Sequence, residues 1–184
     1  MANVKGSALA ARVTWVRLNH GQAGFERLVA QASPGLAEAL AAGVTLARWY
    51  PLELLIEVSE TIDRLFGDGD GALVVELGRF AADAHLTTIY RLFYKVGTVR
   101  WVMARAARLW HLHYDTGKLT LTEQPDAITL ELRDVATPNC THCESVRGWA
   151  ERSVELSGGS EVGSALTGCR RRGADGCCIR LTWR

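Results

Sequence analysis

The apolar period first changes along this chain near residue 111, and that change limits the fold more than any other feature. Before it the spacing is helical. Leu9, Val13, Val16 and Leu18 share one face, a break at His20-Gly21 precedes Phe25, Leu28 and Val29, and Pro34 opens an alanine-rich segment through Ala42. Tyr50-Pro51 starts a helix whose stripe of Leu54, Leu55, Val58, Ile62 and Leu65 ends at Gly67. Asp70 reads as the N-cap of a helix from Ala72 to about His85, and further helices are expected over 88–95 and 98–111. After the change, Leu119 and Leu121, then Ile128, Leu130 and Leu132, alternate with polar residues around a Pro125-Asp126 turn, as half-buried strands do. A helix over 142–156 ends at Gly158-Gly159, and strands are expected over 161–171 and 177–183. The expected class is α+β: a helical part (1–111) packed on an antiparallel sheet (112–184) in the order strand-strand-helix-strand-strand, forming a single domain.

With 184 residues, 48% hydrophobic, 22% charged and a formal net charge of +1, the chain excludes wholesale disorder and a globally basic nucleic-acid binder. No apolar run reaches the roughly 18 residues of a membrane span. The opening residues lack a basic segment followed by an apolar one, so a cytoplasmic location is expected.

All five cysteines lie between Cys140 and Cys178. Cys140-Thr-His-Cys143 precedes the last helix, while Cys169, Cys177 and Cys178 fall on the closing strands. Cys140, Cys143, Cys169 and Cys177 have the chemistry to close a tetrahedron around zinc, with His142 as a possible substitute. Inert buried thiols and a redox C-x-x-C, including a Cys140–Cys143 disulfide, stay open as alternatives. Cys177 and Cys178 point to opposite faces of a strand, so only one of them joins such a site.

Other patterns carry less. Asp68-Gly-Asp-Gly71 lacks the remaining ligands of a calcium loop and reads as a turn. Gly67, Gly69 and Gly71 follow no strand, so they form no dinucleotide fingerprint. His111 and His113 have no carboxylate placed to orient them for catalysis. The arginine- and tryptophan-rich stretch Arg100–Trp110 reads as a core helix with a solvated face. Tyr94, Trp101, Tyr114 and Trp149 gather near the helix–sheet seam, where aromatic rings line apolar pockets.

Several short motifs resemble a known family. These are Trp110-His-Leu-His-Tyr-Asp-Thr-Gly-Lys-Leu119, Gly148-Trp149, Cys169-x7-Cys177 around Gly173, the opening Val4-Lys-Gly-Ser7, and Arg48-Trp-Tyr-Pro51. The C-terminal half resembles the 4-vinyl reductase domain. Nearly the whole chain resembles a bacterial paralogous family, of unknown function, related to the haem nitric-oxide/oxygen-binding (H-NOX) fold. The resemblance implies helices packed on one face of a curved antiparallel sheet. Related domains act as ligand-sensing modules in bacterial regulators of aromatic catabolism, and as pieces of a vesicle-tethering complex. In the aromatic-sensing relatives a zinc ion beside the pocket is held by three cysteines and a glutamate. Cys143, Cys169 and Cys177 match the cysteines, but the glutamate position is Leu166, which leaves Cys140 as the fourth ligand. Tyr114-Asp-Thr116-Gly-Lys118 echoes the family's Tyr-x-Ser-x-Arg haem-propionate motif with lysine in place of arginine's planar fork, and His111 is the nearest proximal ligand. Those departures place haem well behind zinc.

The resulting expectation is a non-catalytic sensory domain. It has a structural zinc on Cys140, Cys143, Cys169 and Cys177, and a small apolar ligand near Tyr94, Trp101, Tyr114 and Trp149. Its partners are a second copy or a signalling protein. The alternative is a dimerisation or adaptor module with no small ligand; a haem-based gas sensor stands third.

Overall fold

The computed structural model describes residues 2–84 and 97–184. The helix expected over 88–95, with Tyr94, lies outside the described residues.

The chain opens with β1 (Asn3–Lys5) and α1 (Gly6–Ala30), followed by α2 (Pro34–Ala41), β2 (Trp49–Pro51), α3 (Leu52–Phe66) and α4 (Ala72–Ala84). Gly21, at φ 64° and ψ −162°, kinks α1 where the sequence breaks its stripe. Ser33 caps α2 by accepting from the Leu36 N–H, with Pro34 in the first turn. The Asp70 carboxylate accepts from the Ala72 N–H at 2.8 Å, opening α4 as expected.

β1 and β2 pair as a small antiparallel sheet, which corrects the all-helical reading of the first half. Three-residue strands are too short to show alternation. β1 also bridges Val4 to Tyr114, and Asn3 donates twice to Asp115 at 2.6 Å. The N-terminus thereby fixes the segment that carries His113 and Tyr114.

In the second half come α5 (Val99–Arg108), capped by Thr98, and a 3-10 turn (Trp110–Leu112). Next are β3 (Lys118–Gln124), β4 (Ala127–Arg133), α6 (Cys140–Leu156), β5 (Gly163–Gly168) and β6 (Cys177–Thr182). The four strands form an antiparallel sheet in the order β3-β4-β6-β5. This is the expected α+β class. Register pairs Leu119 with Leu132, Leu130 with Ile179 and Ile128 with Leu181, so one face presents a continuous apolar surface. That face joins Val146, Ala150 and Val154 of α6 in the main core.

The tightest helix contact is between α4 and α6. A Cβ on Gly78 would overlap the Ser145 carbonyl oxygen, and one on Gly148 would overlap that of Val75. Two glycines facing the partner's backbone let the helices meet main chain to main chain. Ion pairs clamp the contact: Arg79 reaches Glu151 (3.1 Å) and Glu155 (2.8 Å), and Arg152 reaches Asp83 (3.0 Å). Gly148→Ala has no room to relax and is expected to lower stability in urea denaturation by about 1–3 kcal/mol, the usual range for overpacking. An unchanged midpoint would contradict this contact.

Candidate ligand-binding site

A cavity of about 170 Å³ lies between α1, α4, α5 and α6. Its walls are mostly small and apolar: Ala8, Ala81, Ala82, Val102 and Val146. Trp101, Tyr114 and Trp149, three of the four aromatics singled out in the sequence, stand on these walls. Trp110 joins them, stacked on Tyr114 at 4.0 Å with planes 9° apart. Its indole N–H donates to the Thr116 carbonyl at 3.0 Å, which sets the ring's orientation.

Three cations line the same space: Lys5, Arg105 and Arg12. Lys5 donates to the Ala47 carbonyl at 2.9 Å and lies over the Trp49 ring. Arg12 is the feature that sequence reasoning missed. It sits on α1 at 1% exposure and lies beside Tyr114 and His142. Burial pushes the Tyr114 phenol up to about 12, opposed by the charge of Arg12.

The histidines divide. His113 is exposed and lines the cavity rim. His111, the expected proximal ligand, is exposed off that wall and hydrogen-bonds the Arg108 carbonyl through Nδ1 at 3.0 Å. Lys118, the last residue of the propionate-motif echo, is exposed at the start of β3 and does not line the cavity. His142 is buried in a separate recess beside Cys143 and Cys177, tilted against Tyr114, and its Nε2 has no hydrogen-bond partner among the described residues.

The cysteines converge. Asn139 caps α6 by accepting from the Thr141 and His142 N–H groups, which places Cys140 and Cys143 in the first turn, facing the end of the sheet. The sulfurs of Cys143, Cys169 and Cys177 lie within 4.8 Å of one another, and Cys140 Sγ is 2.9 Å from Cys169 Sγ. Cys178 faces the other way, toward Glu131 at 3.9 Å. Cys143 and Cys177 form a disulfide, not the Cys140–Cys143 pair considered from the C-x-x-C spacing.

No protein-family model matches the chain, and no curated protein sequence matches it. Solved structures do. The H-NOX protein of S. oneidensis in its Fe(II)NO ligation state superposes with a TM-score of 0.77 at 13% identity, covering 98% of this chain and 99% of that one. The Fe(II) unliganded H-NOX protein of K. algicida gives 0.70 at 10% identity, covering 98% and 96%. An oxygen-binding H-NOX domain related to soluble guanylate cyclases, in its oxygen complex, gives 0.65 at 12% identity, covering 98% and 95%. The chain has the H-NOX fold.

These neighbours overturn the cofactor expectation, which put zinc first and haem far behind. The structures that share the fold are ligation states of ferrous iron, and a further one concerns haem redox potential tuned by porphyrin distortion.

Two predictions follow from this geometry. The disulfide closes a loop of 34 residues, so Cys143→Ser is expected to lower stability by about 2–4 kcal/mol in denaturant under non-reducing conditions, and by far less when both proteins are reduced. Burial, and secondarily the Arg12 charge, push His142 down to about 4. An unfolded histidine protonates near pH 6.5, so between about 6.5 and 4 the unfolded chain binds the extra proton and stability falls as pH falls. His142→Phe should flatten that limb by up to about 3 kcal/mol relative to the parent; parallel pH–stability curves would contradict it.

Proposed function

We propose that this chain is a ligand-binding sensory domain whose α1/α4/α5/α6 cavity takes haem, which the His113 imidazole would hold. One observation carries the reading. In a fold shared with haem-iron proteins, the described residues of an apolar cavity include the His113 imidazole at its rim and the cations Lys5, Arg12 and Arg105 on its walls.

The fit has a departure. α5, Val-Arg-Trp-Val-Met-Ala-Arg-Ala-Ala-Arg, contains no histidine; the segment after it offers His111 and His113, and His111 is turned to the Arg108 carbonyl. That segment is held to β1 by the Lys5 N–H donating to the His113 carbonyl at 2.8 Å, which keeps His113 at the rim. Trp101, Trp110, Tyr114 and Trp149 supply ring faces and edges for a flat ligand. Lys5 and Arg105 offer charge to peripheral carboxylates. Ala8, Ala81, Ala82, Val102 and Val146 exclude water. Bound haem supplies an iron position for a diatomic gas. We assign the chain no reaction of its own.

The cavity volume favours a second, smaller ligand. About 170 Å³ falls below the roughly 300–1,000 Å³ of common ligand pockets. A one- or two-ring molecule fills it as it stands, whereas haem requires α5 to move outward. In both readings occupancy shifts α5 against α4 and α6, a change that a partner protein can read.

Haemin titrated into the purified chain is expected to give a saturable one-to-one Soret band, with loss of tryptophan fluorescence. His113→Ala should weaken that binding at least tenfold and shift the band, and His111→Ala should leave both unchanged. Absence of saturable binding, or equal effects of the two variants, would contradict the haem assignment.

A further inference from the structure

Arg12 is a buried cation without an anion. Its Nε donates to Ser59 Oγ at 3.2 Å, one terminal nitrogen to the Leu77 carbonyl at 2.8 Å, and the other to Ser145 Oγ at 2.5 Å. These acceptors come from α3, α4 and α6, and all three are neutral. Among the described residues no ion pair includes Arg12, and residues 85–96 contain no aspartate or glutamate. A guanidinium carries five N–H donors in a planar fork, so three bonds leave two donors over. Taking an uncompensated charge out of water costs several kcal/mol, which an anion held in an adjoining space would offset.

The cavity is such a space. Arg12, Ser145 and Tyr114 all line it, together with the apolar Ala8, Val102 and Val146. The Tyr114 phenol is buried beside the Arg12 charge. The backbone contact at Gly78 brings α4 against Ser145, so the Leu77 carbonyl and the Ser145 hydroxyl hold the guanidinium from two sides. Burial lowers the Arg12 pKa only to about 10, which leaves it charged at neutral pH.

We infer that the inner end of the cavity is a carboxylate receptor, in which Arg12, aided by the Ser145 and Tyr114 hydroxyls, grips the acid group of a ligand whose remainder is an apolar ring. This rests on the reading of the cavity as a ligand site. The carboxylate has two possible sources, a haem side chain or a free aromatic acid.

Calorimetric titration separates them. The parent chain and Arg12→Gln are titrated with 2-naphthoate and its neutral amide, and with haemin and its dimethyl ester. Arg12→Lys keeps the charge, and Ser145→Ala serves as a milder variant if Arg12→Gln does not fold. A free acid as the source gives at least a tenfold preference for naphthoate over the amide. Haem as the source gives the same preference for haemin over its ester. In either case the preference disappears in Arg12→Gln, survives partly in Arg12→Lys, and falls several-fold in Ser145→Ala. Haemin and its ester binding equally, with no preference for naphthoate, would overturn the receptor while leaving the haem reading standing. A preference that persists in Arg12→Gln and Ser145→Ala would also overturn it. Failure of haemin with an Arg12-dependent preference for naphthoate would sustain the receptor and remove haem.

Discussion

The approach of α4 and α6 through Gly78 and Gly148 sets the geometry of everything around it. With no Cβ on either residue, the two backbones touch, and Arg79 and Arg152 bind the helices along their outer edges. On the inner side the same contact holds the Leu77 carbonyl and the Ser145 hydroxyl against Arg12. The cavity opens where this contact ends and α5 diverges. Its shape is therefore a consequence of helix packing, and the buried charge of Arg12 sits against that contact.

Much of the architecture was legible in the sequence because the signals were local. The Gly21 kink, the Asp70 cap, the Pro125-Asp126 turn and the alternation of Ile128, Leu130 and Leu132 each depend on a few neighbouring residues. Trp101, Tyr114 and Trp149 were expected at the helix–sheet seam by position along the chain; they do share one cavity, but it lies among helices and not against the four-stranded sheet. What escaped was non-local. Arg12 lies in a helix whose sequence gives no reason to bury it, and its three acceptors are 47, 65 and 133 residues away. His142 was weighed only as a metal ligand, because nothing in Cys-Thr-His-Cys says that its ring tilts against Tyr114. The C-x-x-C spacing suggested a local bond, whereas the fold places Cys177 of β6 nearer to Cys143.

The H-NOX fold, reached here at 10–13% identity to the solved structures, fixes the arrangement of helices and sheet without fixing the contents of the cavity. Those contents are decided by the side chains of this chain: an α5 without histidine, His113 at the rim, a stacked Trp110–Tyr114 pair, and Arg12. Together they describe a receptor for a flat ring that carries negative charge. Flatness is set by the aromatic walls, and charge by a guanidinium that the rest of the chain leaves uncompensated.

Native mass spectrometry of the chain, before and after incubation with haemin or 2-naphthoate, tests this account most directly. The account predicts a one-to-one complex with at least one of these acids, lost when the chain is unfolded and absent with the corresponding neutral ester or amide. Ions at the mass of the chain alone under every condition would contradict it.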